Sequence, residues 1–230
     1  MLDFNKLIDK HLEREYKPKS IGRYYPSEIG GCIRKTWFSY KNHKPTDSTL
    51  TKIFEAGNML HEFITEVIKS EKNEEIELIK SELPIQIKGK DFVISGRIDN
   101  LVLVKLFEKN EYHQILVEVK STKFLPNEHK KEHEIQLQLY MRALGVHEGI
   151  ILYIQKDNLQ TKTFTIKYKK KMSDKILERF EELHTSLIKD EIPEAEAKKD
   201  KDKIWMCDYC SYRKECDKIG LAPYSHNSKL

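Results

Sequence analysis

An acid closes the apolar run Ser95-Gly-Arg-Ile-Asp99, and an acid and a lysine two residues apart close the next, Ile115-Leu-Val-Glu118-Val119-Lys120. In an extended strand residues i and i+2 share a face. Glu118 and Lys120 therefore stand side by side, with Val117 and Val119 on the other face. A carboxylate and an amine on the buried side of a β-branched run are costly unless a cation or a partner compensates them. If the two strands are neighbours, Asp99 supplies a second carboxylate. Two carboxylates and a lysine can hold a hard divalent cation and an activated water. The competing structural reading is a buried Glu–Lys ion pair in an ordinary sheet.

Four further groups could serve such a site. Gly57 and His61 lie at i and i+4 on a strongly amphipathic stretch and share a helix face. The glycine permits close backbone approach, and a neutral imidazole adds a nitrogen donor that tilts preference towards Mn²⁺ over Mg²⁺. Gln136 and Tyr140 are again at i and i+4, with side chains able to reach phosphate or sugar oxygens. Cys207, Cys210 and Cys216 have the spacing C-x2-C-x5-C, and a fourth cysteine, Cys32, lies far upstream. Three close thiols and one distant one suit a tetrahedral Cys₄ metal site or an iron–sulfur cluster, and spacing does not exclude zinc. Joining such distant segments constrains a long loop. Lastly, Arg23-Tyr24-Tyr25, Arg34-Lys35, Trp37 and Tyr40 interleave cations with rings, a composition suited to single-stranded nucleic acid. Each group also has a bland reading: a satisfied helical histidine, an amphipathic core tyrosine, unrelated thiols, a solvated basic face.

These side chains need elements to hold them. The chain has 230 residues, is 34% charged with both signs interspersed, and carries a net charge of +4. That length fits a single domain spanning 1–230, with a core at about 50–190. Helical periodicity is expected over 2–14, 29–40, 51–70, 129–144 and 172–189, the fourth stopped by Gly145. Strand-like runs cover 77–87, 91–99, 100–107, 115–120, 149–155 and 161–168. Residues 108–113 read as a hairpin loop, 190–203 as a charged linker, and 221–230 as a flexible tail. The order of elements implies an α/β fold with a central mixed sheet flanked by helices. No secretory signal pattern and no run near the ~18 apolar residues of a spanning helix occur, so a cytoplasmic protein with no membrane partner is expected. In that compartment the four cysteines are better read as ligands or catalytic thiols than as disulfides.

Gly57-Asn-Met-Leu-His61, Gly96-Arg-Ile-Asp99, Glu118-Val-Lys120 and Gln136-Leu-Gln-Leu-Tyr140, with cysteines at 32, 207, 210 and 216, resemble in content and order the RecB-like branch of the PD-(D/E)xK nuclease superfamily. The small size most resembles its CRISPR-associated exonucleases. The resemblance covers roughly residues 26–220. It implies a restriction-endonuclease-like core and an iron–sulfur module built from 26–40 and 204–220. It implies that His61, Asp99, Glu118 and the Val119 carbonyl bind Mn²⁺ or Mg²⁺. Lys120 would orient or deprotonate the attacking water and stabilise charge on the phosphate; a nearby cation would lower its pKa enough for a base role. Gln136 and Tyr140 would position the DNA and the lysine, Arg34 and Lys35 would contact DNA, and Cys32, Cys207, Cys210 and Cys216 would hold a structural [4Fe–4S] cluster, zinc being the alternative. The implied activity is a metal-dependent DNA exonuclease acting on single strands or frayed ends, trimming spacer precursors beside the CRISPR integrase. The alternatives are a recombination or repair nuclease of a virus or mobile element, and a catalytically idle iron–sulfur DNA-binding subunit.

Overall fold

The computed structural model describes all residues except 1, 14–16, 43, 71–75, 107–110, 222–223 and 226–230. The elements run α1 (Phe4–Leu12), β1 (Arg23–Tyr24), a 3₁₀ turn (Pro26–Glu28), α2 (Ile33–Lys41), α3 (Ser48–Lys69), β2 (Ile76–Lys88), β3 (Val93–Leu106) and β4 (Glu111–Thr122). There follow α4 (Lys131–Leu144), β5 (Glu148–Gln155), β6 (Thr161–Lys167), α5 (Lys170–Lys189), β7 (Glu191–Ile192), α6 (Glu196–Lys199), a 3₁₀ turn (Ile204–Cys207), α7 (Arg213–Ile219) and β8 (Tyr224–Ser225).

Local chemistry sets the ends of the helices that matter. Asp47 caps α3 by accepting from the Thr49 N–H at 2.7 Å. Gly145 ends α4 in the left-handed conformation at φ +68°. Within the runs 91–99 and 100–107, Val93–Leu106 form one continuous strand, β3, with no break at the polar Asp99-Asn100 step.

The sheet is mixed, in the order β1-β3-β4-β5-β6, with β2 on the other edge of β3. β1–β3 and β4–β5 are parallel; the remaining pairs are antiparallel. The parallel β4–β5 pair is bridged by α4, as such a pair requires a crossover. Each face carries helices. Ile64 of α3 packs on Val102, Ile115, Val117 and Val119. Leu137, Tyr140 and Met141 of α4 pack on Ile98, Leu116, Ile151 and Tyr153 on the opposite face. With both faces covered, Ile115 to Val119 is buried throughout.

A third cluster joins α2 to α5 and to the C-terminal segment: Tyr24, Trp37, Phe38 and Tyr40 meet Phe92, Phe180, Leu183 and Tyr212. Phe38 stacks on Tyr212 with centroids 5.5 Å apart. The aromatic residues expected to stack on bases are thus mostly core: Tyr24, Trp37 and Tyr40 are buried, while Arg23, Tyr25 and Lys35 face solvent.

Residues 190–203 are not a linker. Ile192, Ala195 and Ala197 are buried among the charges, and Glu196 binds both Arg179 and the Ile33 N–H. Nor is the whole tail unpaired: β8 pairs with β7, and the Leu221 carbonyl accepts from Ala195. Of the expected 108–113 loop, 111–113 pair with β3 and 108–110 lie outside the described residues. Among the described residues no helix is long and apolar enough to cross a membrane.

Candidate active site

The site lies where β3 and β4 part. β3 pairs with β4 only from Asn100 onward, and with β1 only at Val93 and Ile94. Between these stretches the same edge of β3 is left open. Pro26 and Tyr140 fill part of the gap, so closely that a Cβ at Gly96 would fall 2.9 Å from the Tyr140 ring and 3.0 Å from Pro26. The glycine is required by space. Beyond the last ladder pair, Asn100 with Val117, the Val119 N–H donates to Asp99 Oδ2 at 2.7 Å. A carboxylate has taken over from the backbone. In an extended strand the carbonyl of Val119 points to the same side as its N–H, into this split.

Glu118 and Lys120 occupy the α4 face of β4, and Lys120 Nζ donates to Glu118 Oε1 at 2.7 Å and to Gln136 Oε1 at 3.0 Å. Gln136 Nε2 in turn donates to the Tyr140 hydroxyl at 2.9 Å. His61 arrives from α3, on the other face, with Nδ1 3.5 Å from Asp99 Oδ1. The helix can come so near because a Cβ at Gly57 would meet Ser121 Oγ at 3.3 Å. Asp99, Glu118, Lys120, His61, Gln136 and Tyr140 are therefore brought together. Glu118 is 1% exposed, and its Oε2 is buried without a hydrogen-bond partner. Native folds rarely tolerate that in a carboxylate.

Burial, only partly offset by Lys120, pushes the Glu118 carboxyl up to about 7. Burial acts to lower the Lys120 ammonium, but Glu118 outweighs it and holds its pKa above the ordinary value. As placed beside Glu118, Lys120 is a proton-bearing cation. At His61 burial is likewise outweighed by Asp99, and the net shift is upward. Composition gave little signal for His133, which bonds the Tyr153 hydroxyl at 2.8 Å behind Lys120; burial, and next Lys120, drive its pKa down to about 3, so it is neutral. Its only sequence mark is its place one turn before Gln136.

The four cysteines converge. Cys32 begins α2, Cys207 ends a 3₁₀ turn, Cys210 lies in a turn and Cys216 in α7. All are free thiols and line one cavity of about 350 Å³. Burial raises the Cys207 thiol, and Cys32, Cys210 and Cys216 raise it further. Among the described residues, no three His, Cys, Asp or Glu side chains stand close enough, as placed, to hold a metal ion.

The family model of the PD-(D/E)XK nuclease superfamily matches residues 8–217. The chain belongs to that superfamily. A hydrolytic nuclease thus carries the split-strand site. Among relatives, the chain is 26% identical over 163 residues to the CRISPR-associated exonuclease Cas4 of Saccharolobus solfataricus, covering 67% of this chain and 72% of that protein. The crystal structure of SSO0001 superposes with a TM-score of 0.60 at 20% identity, covering 92% of each chain, a likeness of fold. The exonuclease LHK-Exo in complex with dAMP aligns at a TM-score of 0.48 and 14% identity, over 73% of this chain and 90% of that one.

Within this nuclease three of the four expected DNA contacts are buried. Arg34 is 1% exposed and spends its N–H groups on the carbonyls of Pro193, Gly220 and Leu221. A guanidinium so enclosed cannot reach a phosphate. Gln136 and Tyr140 are also buried: Gln136 accepts from Lys120 and donates to the Tyr140 hydroxyl. Lys35 remains exposed.

Proposed function

We propose that the chain is a metal-dependent DNA exonuclease that digests single strands or frayed ends and trims spacer precursors beside the integrase in CRISPR adaptation. The observation that carries this reading is the open edge of β3. There Asp99, Glu118 and Lys120 meet, and a buried carboxylate oxygen of Glu118 lacks a partner. The name of the Saccharolobus relative supports the CRISPR setting.

The donor set fits a hard divalent cation: two carboxylates, one imidazole and the Val119 carbonyl. Asp99, Glu118, His61 and Val119 would hold Mn²⁺ or Mg²⁺. When bound, such an ion polarises the phosphate and supplies an activated water. The residues do the rest. Gln136 and Glu118 fix the Lys120 ammonium at 3.0 and 2.7 Å, where it offsets charge developing on non-bridging phosphate oxygens. Tyr140 holds the Gln136 amide so that its oxygen faces the lysine. His61 and Asp99 orient one another across the gap.

End-labelled single and double strands incubated with Mn²⁺ should be shortened from an end, single strands faster. Labelled strands left intact across Mn²⁺ and Mg²⁺ would reject the reading.

We also infer that Cys32, Cys207, Cys210 and Cys216 hold a structural [4Fe–4S] cluster. Four soft thiol donors lining one cavity suit it and suit zinc equally; the resemblance to the cluster-bearing nucleases favours the cluster. When bound, the cluster would cross-link α2 to the C-terminal segment. Protein prepared without oxygen should be brown, with broad absorption near ~400 nm. A colourless, zinc-loaded protein would refute the cluster.

A further inference from the structure

The cysteine cavity has a buried neighbour that the sequence reading gave to DNA contact. Arg34 lies two residues beyond Cys32, on the first turn of α2. Its Nη1 stands 3.6 Å from Cys216 Sγ, within reach of an N–H···S hydrogen bond. Its Nε donates to the Pro193 carbonyl at 2.6 Å, and Nη1 and Nη2 reach the carbonyls of Gly220 and Leu221. One side chain on the helix of Cys32 thus grips the backbone on either side of the cysteine segment and touches one of its sulfurs. The fork of five fixed donors makes this possible; a lysine could satisfy fewer of these acceptors.

We propose that Arg34 is the positioning residue of the four-cysteine site: it holds Cys216 in place through Nη1 and sets a fixed positive charge against the thiolates that a bound cluster requires. The inference rests on the cluster reading above.

Charge argues for the same role. Four thiolates outweigh the charge of a cluster core or of Zn²⁺, so a loaded site carries net negative charge in a partly buried place. Desolvated charge is costly unless compensated. Arg34 is not alone there. Lys198, paired to Asp217 at 2.6 Å, is within electrostatic reach of Cys216 and Cys207, Lys35 of Cys210, and Arg179 of Cys32. Each cysteine has a cation beside it. Lys198 also bonds the Cys216 side chain; Arg34 differs in being buried and in joining that sulfur to the backbone on either side of the segment. Hydrogen bonds and charge at the sulfurs are what set the potential of a protein-bound cluster.

The test compares the full-length wild type with Arg34→Gln and Arg34→Lys, all loaded without oxygen. Iron release to a chelator is followed by absorbance. The midpoint potential is read as a reduced mediator dye passes one electron to the cluster. Arg34→Gln should release iron at least tenfold faster and show a lower potential, because the lost charge no longer favours the reduced form. Arg34→Lys keeps the charge, so it should keep the potential while recovering only part of the retention. Unchanged release and potential in Arg34→Gln would overturn the proposal. So would a potential in Arg34→Lys as low as in Arg34→Gln, since a mere clamp on the C-terminal segment predicts no rescue by charge. If Arg34→Gln does not fold, the potential of Arg34→Lys decides alone: wild-type supports the role, lowered overturns it. If the wild type takes up zinc and no iron, the cluster reading fails while the role of Arg34 does not; zinc release tenfold faster from Arg34→Gln then supports it, and equal release overturns it. A wild type that binds neither metal overturns both.

Discussion

Exchanging Asp99 for asparagine should lower DNA cleavage by roughly 10³-fold, the scale seen when one preorganised electrostatic contact is removed from a transition state. The substitution is nearly isosteric, and an amide oxygen can still accept the Val119 N–H that now binds Oδ2 at 2.7 Å. What is lost is the charge. That charge faces His61 across the split and stands beside Glu118, so the donor set falls from two carboxylates to one. A hard dication held by one carboxylate is bound far more weakly. The measurement is single-turnover digestion of an end-labelled strand over a range of Mn²⁺ concentrations, with urea unfolding as the control for the fold. If Asp99 acts only through metal affinity, high Mn²⁺ should recover part of the rate; if it also stabilises the transition state, the plateau stays low. Undiminished cleavage at every Mn²⁺ concentration would remove Asp99 from the site.

Much of this arrangement is legible in the sequence, for a physical reason. Alternation in Ile115 to Lys120 fixes which side chains share a face, and the costly residues Glu118 and Lys120 stand out because their neighbours are β-branched. The i, i+4 pairs Gly57–His61 and Gln136–Tyr140 likewise report helix faces, and both helices do converge on the split. The open edge of β3 left no such mark. It arises because β1 and β4 share one edge without meeting, a fact of long-range pairing. Residue type also misled. Arg34 and Trp37 have the composition of a nucleic-acid surface, but composition does not say which way a helix turns; both face the core, and Arg34 is a buried clamp. Residues 190–203 read as solvent-loving from their charges, although Ile192, Ala195 and Ala197 supply a thin apolar stripe that packs.

The pairing of Glu118 with Lys120 should cost the protein stability, and a mutant cycle can measure how much. Lys120→Met removes the one cation bonded to a carboxylate that is 1% exposed and already has an unpartnered oxygen. Breaking a buried pair from one side costs about 3–5 kcal/mol, because the remaining carboxyl must stay desolvated as a charge or take up a proton. Removing both sides, as Glu118→Leu with Lys120→Met, exchanges the pair for apolar groups of similar volume. Such exchanges are neutral or stabilising by about 1–4 kcal/mol. Urea unfolding in the presence of a chelator should therefore rank the single variant least stable and the double variant at or above wild type, with an interaction energy well beyond the additive range. Neither variant should cut DNA. Adding Mn²⁺ should raise the stability of the wild type, since a ligand that binds only the native state stabilises it by mass action, and should leave the double variant unmoved. A Lys120→Met protein as stable as wild type would mean that the pair is not desolvated. A double variant that still cleaves would mean that the chemistry lies elsewhere. A polar pair kept for the reaction strains the sheet that carries it, so the fold should be relieved by losing its own site.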